Sequence, residues 1–243
     1  MRKKLSRRQD KSRINIFKAL SVFLIIVFIG LTPITVKKLV IIKKVTCNSQ
    51  YGECPNDLEL RTKKYELSDL QTAKKQIENE LRNSYLVESF LIQYKIPSTL
   101  RIDLVVKKPK FAVLNKAENE YYLLDDEGLV LQKSNESNLP YVMYETGDFQ
   151  LGNSVDNKTV FAAELVYKVN WLYSVRMGEI KNDGLHIKFK EGSGVIFPLE
   201  GNTESLLGAL RLIYSRLNES ESGIRIENVS EIDLRYKNPV LRL

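Results

Sequence analysis

Ile96-Pro97-Ser98-Thr99-Leu100-Arg101-Ile102-Asp103-Leu104-Val105-Val106-Lys107-Lys108-Pro109 is the stretch from which the fold can be read. Leu100, Ile102 and Leu104 alternate with Arg101, Asp103 and Val105, the period-2 pattern of a half-buried strand. Ile96-Pro97-Ser98 reads as a turn before that strand. Lys108-Pro109 ends it, because proline cannot donate to a ladder. Upstream, Val87, Phe90 (or Leu91) and Ile92 mark a second strand. Before these, Ser68 with Gln71 makes a capping box, and Leu70, Ala73, Ile77 and Leu81 share one face at helical spacing. A shorter helical stretch opens at Pro55 and Asp57 and carries Leu58, Leu60 and Tyr65. The run 39–46 is short and β-branched, so it predicts a strand. The element order is β-α-α-β-β.

Between that first strand and the short helix lie Cys47 and Cys54, the only cysteines of the chain. They flank a polar loop with a glycine, a spacing suited to a disulfide in an oxidising compartment. Two cysteines with no nearby histidine are too few ligands for a metal site. Outward again, residues 19–36 carry no charge. Eighteen residues at about 1.5 Å of rise span roughly 27 Å, close to the hydrocarbon thickness of a bilayer. The expectation is a single transmembrane helix over 19–36. Eight of the 37 basic residues and one of the 30 acidic ones precede residue 19, which leaves 29 of each sign beyond it. The positive-inside rule then predicts a basic cytoplasmic tail over 1–18 and an extracytoplasmic remainder. The net charge of +7 belongs to that tail, which argues against a nucleic-acid face on the main domains.

From Phe111 onward the sequence turns to short strands. Residues 121–124 and 129–131 flank a glycine-containing turn and read as a hairpin, and 141–143 as a strand. A helix starts near Lys158, capped by Asp156 or Asn157, with Phe161, Leu165, Val169 and Leu172 on it and Trp171 packed at its end. Asp183-Gly184 signals a second hairpin, with Leu185, Ile187 and Phe189 alternating against His186 and Lys188. A last helix, capped near Asn202 or Thr203, carries Leu206, Leu210, Ile213 and Leu217. Ile224, Ile226, Val229, the run 232–236 and Pro239-Val240-Leu241 close the chain as strands. The predicted fold is α+β: a single transmembrane helix (19–36), a β-α-α-β-β domain over 37–108, and a mixed β domain with two helices over 109–243.

These landmarks resemble the FtsQ/DivIB cell-division protein family. The run 96–113 looks like the last hairpin of that family's POTRA domain. The runs Leu124-Asp125-Asp126-Glu127-Gly128-Leu129-Val130, Leu139-Pro140 and Ile232-Asp233-Leu234-Arg235-Tyr236-Lys237-Asn238-Pro239 match its β domain in order. The resemblance implies a bitopic, membrane-embedded scaffold of the bacterial divisome at the septum of the cell membrane. It further implies that the C-terminal edge strand binds the FtsB/DivIC–FtsL coiled-coil pair, and that the scaffold links the pair to the septal synthase and transpeptidase of peptidoglycan synthesis. Carried over by residue, the partner-binding positions are Arg235, Tyr236, Asn238, Pro239 and Val240. Tyr236 also falls on the face of Ile232 and Leu234, which leaves a core role open, and Asp233 is spaced to pair with Arg235. If Arg235 lies in the interface, Arg235→Glu weakens capture without unfolding the domain.

Chemistry is sparse. His186 is the only histidine, and its alternation places it on a solvent face. No Ser/His/Asp set, metal-ligand cluster or phosphate loop is legible. Gly192-Ser193-Gly194 leads into no helix, and Asp125-Asp126 reads as a charged turn. The expectation is a protein that is not an enzyme, with no catalytic residue, no metal, no cofactor and no nucleic-acid partner. Two alternatives stand beside the scaffold. One is a type II membrane enzyme resembling a lumenal glycosyltransferase, with Asn135, Asn157, Asn218 and Asn228 as Asn-x-Ser/Thr sites. The other is a POTRA-containing secretion component.

Overall fold

A computed structural model describes residues 40–182, 184–189, 192–218 and 228–243. The basic tail 1–18, the apolar run 19–36, Asp183, Ile224 and Ile226 lie outside the described residues. The chain divides into two compact units, one ending at Val106 and one starting at Lys107.

The first unit contains β1 (Lys44–Ser49), β2 (Gly52–Glu53), α1 (Asn56–Lys63), α2 (Leu70–Arg82), β3 (Val87–Lys95) and β4 (Thr99–Val106). Its sheet runs β2-β1-β4-β3, with β1 parallel and β3 antiparallel to β4. The alternation that marks β4 is borne by burial: Leu100, Ile102 and Leu104 face Ala73, Ile77 and Leu81 of α2 in one core with Ile42, Val45 and Leu58. Asp69, not Ser68, caps α2, its carboxylate accepting from the Thr72 amide at 2.9 Å. Ser68 is committed through its backbone instead, its carbonyl accepting from the Ile42 amide. That tie also explains why β1 begins at Lys44 rather than at residue 40; residue 39 lies outside the described residues. Residues 40–42 pair with the loop into α2, through Leu67 to Ile42 and Leu70 to Val40. Of the apolar residues of α1, Leu58 is buried and Leu60 is exposed.

Ser49 pairs with Gly52 across the two residues Gln50 and Tyr51, so the cysteine segment is a tight hairpin rather than a loop. Gly52 takes φ +108°, a conformation that costs a glycine little. Cys47 and Cys54 are joined in a disulfide with Cα atoms 5.6 Å apart. Cys54→Ala releases this short closure and is expected to cost about 2–3 kcal/mol on the chain-entropy account. Urea denaturation of the variant against the parent checks this, and an unchanged midpoint contradicts it.

The second unit holds β5 (Phe111–Asn115), β6 (Glu120–Leu124), β7 (Val130–Ser134), β8 (Tyr141–Tyr144), α3 (Asn157–Tyr173), β9 (Met177–Lys181), β10 (Gly184–Lys188), β11 (Gly194–Phe197), α4 (Thr203–Asn218), β12 (Glu231–Asp233) and β13 (Val240–Arg242). One mixed sheet takes the order β13-β12-β11-β10-β9-β8-β5-β6-β7. Parallel neighbours need a long crossover, supplied by β6–β7 between β5 and β8 and by the two helices elsewhere. α3 carries the chain from β8 to parallel β9, and α4 from β11 to parallel β12. Both helices bury residues in a single core cluster with the sheet, including Phe111, Val142, Leu185, Phe197 and Ile232. Phe111–Val113, included in the resemblance run 96–113 but placed by the domain reading in the second module, belongs to this sheet as β5.

Asp156 caps α3, accepting from the Thr159 amide at 3.0 Å, and Asn202 accepts from the Ser205 amide before α4. α3 buries Ala162, Ala163, Val166 and Val169. It comes close at Gly178 of β9, where a Cβ would lie 2.6 Å from a Val166 methyl. Trp171, expected to pack, is instead 79% exposed. It sits two residues past Val169, about 200° around the helix from the buried face.

The expected single-pass fold, and with it the cell-membrane location, is corrected here. Among the described residues there are two mixed sheets, of four and nine strands, and four helices. None of these helices is long and apolar enough to cross a membrane. The longest, α3, has 17 residues and carries Lys158, Glu164 and Lys168. Its buried side chains, Ala162, Ala163, Leu165, Val166 and Val169 among them, belong to the core cluster shared with the sheet.

Candidate interaction edge

β13 ends the nine-stranded sheet on one side, paired antiparallel to β12 through Glu231–Arg242, Ile232–Leu241 and Asp233–Val240. A terminal strand of a sheet presents backbone N–H and C=O groups that no neighbouring strand satisfies. β12 itself is held from behind: it runs parallel to β11, and Ile232 is fully buried in the core. It stops at Asp233 rather than continuing to Tyr236, and the Leu234 amide donates to the Ile196 carbonyl.

The turn that returns the chain to β13 is built on an ion pair. The Asp233 side chain is completely buried. Its carboxylate accepts from Arg235 Nη2 at 2.7 Å, from Nε at 3.0 Å and from the Arg235 amide at 3.1 Å. These hydrogen bonds hold the Asp233 carboxyl below its ordinary range, against burial, which pushes it up; the same hydrogen bonds raise the Arg235 guanidinium. Arg235 is therefore half-buried and engaged within the fold, and the pairing foreshadowed by its i,i+2 spacing from Asp233 is the one present. Charge reversal at Arg235 would set a second carboxylate against the buried one. The expectation that Arg235→Glu leaves the domain folded does not survive this geometry.

Beyond Arg235 the chain opens to solvent. Tyr236 is 59% exposed, with the Arg235 guanidinium 5.9 Å from its ring centroid, so it is not a core residue. Lys237, Asn238 and Pro239 are exposed as well, and Pro239 stands immediately before β13. Val240, Leu241 and Leu243 add exposed apolar surface. Arg242 pairs with Glu231, and its carbonyl accepts from the Ser230 amide at 2.9 Å. The sequence pointed to Arg235, Tyr236, Asn238, Pro239 and Val240. The structure gathers them in one turn and edge but assigns Arg235 inward. Leu241 and Leu243 were missed, and strand alternation at the chain's end was their only signal.

Elsewhere, polar clusters are absorbed by the fold. Asp125 is buried, accepts from the Glu127 and Leu129 amides, and pairs with Lys107 at 2.8 Å. The cleft lined by Tyr144, Asp148, Phe149 and Asp156 uses Asp156 as a helix cap and Asp148 to hold Gln150. His186 lies between Glu179 and Ile196 in the sheet, and its Nε2 is buried without a hydrogen-bond partner among the described residues. Among the described residues, no group of three or more His, Cys, Asp or Glu side chains is placed to hold a metal. Compared with known proteins, the chain matches no family model and no curated protein.

Proposed function

We propose that the chain is a docking protein of the bacterial division machinery, whose terminal edge receives an extended segment of a partner by β-augmentation. The partner is the FtsB/DivIC–FtsL coiled-coil pair, and the complex links it to septal peptidoglycan synthesis. The observation that carries this reading is the exposed terminal edge of the nine-stranded sheet, flanked by the exposed Tyr236 and Val240. An open edge offers main-chain hydrogen bonds to a guest strand, and neighbouring side chains select it. Tyr is enriched among residues that dominate interfaces. The family resemblance of residues 232–239 names the partner, and the first unit, which apart from the two-residue β2 has the order β-α-α-β-β, is in keeping with it.

The test is isothermal titration of the purified coiled-coil pair into the full chain. Tyr236→Ala is expected to weaken binding about tenfold, the effect of a contact worth roughly 1.4 kcal/mol. Thermal stability should be nearly unchanged, because Tyr236 is 59% exposed and lies outside the core. Absence of heat with the parent chain, or parent-like affinity in the variant, removes this reading.

A further inference from the structure

We infer that the outer face of α4, with the exposed end of α3 beside it, receives a second copy of this chain, the two α4 helices crossing antiparallel at Gly208. The inference concerns the helical layer and does not depend on the capture role proposed above. Two contacts set how α3 and α4 run beside each other. At the start of α4, Lys168 Nζ donates to Thr203 Oγ1 at 2.7 Å and pairs with Glu204 at 2.6 Å. Further along both helices, the rings of Tyr173 and Tyr214 lie 5.4 Å apart. The helices therefore advance in the same direction from the Lys168–Glu204 bridge. Residues three or four apart share a helix face. Trp171 and Leu172 thus stand one turn past Lys168, and Gly208 one turn past Glu204, with Arg211 and Leu212 a turn further on.

The fold leaves this patch uncovered. Trp171 is 79% exposed, Leu212 53% and Leu172 37%. One exposed apolar side chain is ordinary, whereas several gathered in a patch mark a contact surface. Gly208 lies in the helix interior and is exposed, and a Cβ there would meet nothing within 4 Å. Glycine weakens a helix interior, and no packing among the described residues requires it at this position. What it permits is the close approach of a second backbone. The charges name the occupant. The patch carries both signs: Glu204, its side chain 76% exposed, and the exposed Arg211. Antiparallel crossing at Gly208 sets Glu204 of each copy level with Arg211 and Leu212 of the other, so a second copy answers each charge with its opposite. Each Trp171 then flanks the other copy's α4. Such an isologous pairing closes at two copies.

The test is sedimentation velocity of the full chain over a wide range of concentration, with tryptophan emission recorded on the same samples. Trp171 is the sole tryptophan, so the emission reports on this surface alone. A reversible monomer–dimer equilibrium is expected, with emission moving to shorter wavelength as the dimer forms. Gly208→Gln puts a side chain at the crossing point and a better helix former in α4. It should weaken dimerisation by about tenfold or more, while the melting temperature of the dilute monomer holds or rises. Gly208→Cys brings the thiols of two copies face to face. Cys47 and Cys54 are bonded to each other, so oxidation should yield a covalent dimer through residue 208. Lys158→Cys, exposed at the start of α3, should yield none. A single monomeric species at every concentration, with no cross-link through residue 208, overturns the proposal. So does a dimer that Gly208→Gln leaves intact, which places association elsewhere on the chain, and so does Trp171 emission that ignores dimerisation. The titration with the coiled-coil pair judges capture separately, and its failure leaves this pairing standing.

Discussion

Phe197→Ala is expected to destabilise the second unit by about 3–5 kcal/mol, the usual cost of deleting a buried ring and leaving a cavity. Its melting temperature should fall by roughly 10–20 °C. Phe197 is among the largest fully buried side chains of the protein and lies in the core cluster that joins the sheet to both helices. It pairs with Leu185 across β10, and its strand is the support on which β12 lies. Loss of the ring should thus weaken the terminal edge along with the core. Circular dichroism melts of the variant measure the effect. A shift of only a few degrees would mean that Leu185 and its neighbours close the gap.

Asp233→Ala is the larger test of the edge itself. The substitution removes the acceptor for three Arg235 donors, and hydrogen bonds to a charged group are worth about 2–3 kcal/mol in such settings. The turn through Tyr236 and Pro239 then loses its anchor. Denaturant titration should show the loss, and amide exchange should place it in residues 234–242. Acid acts on the same bond. Because the folded carboxyl titrates below the ordinary value of 3.8, its contribution is fully present above that pH and disappears as the pH falls through the lowered value. Asp233→Asn should flatten that acid limb of the stability curve. An acid limb identical to the parent's would show that Asp233 does not titrate there.

The elements that sequence located well are those whose burial follows one period. Leu100, Ile102 and Leu104, and Ala73, Ile77 and Leu81, are apolar on the face that is covered and polar off it, so pattern and packing coincide. α3 was legible only in part: Leu165 and Val169 are buried and Phe161 packs on the core, but Leu172 and Trp171 are exposed. It is apolar nearly all round, and only contact with Gly178 and the sheet selects the Ala162–Val166–Val169 face over the one bearing Trp171. Cap choice at α2 was ambiguous because Ser68 and Asp69 are both good caps, and a bond between Ser68 and Ile42, remote in sequence, decides it. At the terminal edge the i,i+2 spacing of Asp233 and Arg235 was visible. Which of the pair faces inward depends on the parallel seat of β12 on β11, a pairing across a 16-residue helix that no local pattern records.

That parallel seat bears on when the edge comes into being. β11 and β12 are adjacent in the sheet but more than thirty positions apart along the chain, and pairings of such sequence separation are slow because loop closure precedes any reward. During synthesis the hairpins and β8-α3-β9 can assemble while β12 is still unmade. The terminal edge is thus a late product of folding: it forms only on a chain whose second unit is otherwise complete, so under the proposed function a half-folded molecule has no edge to offer a partner.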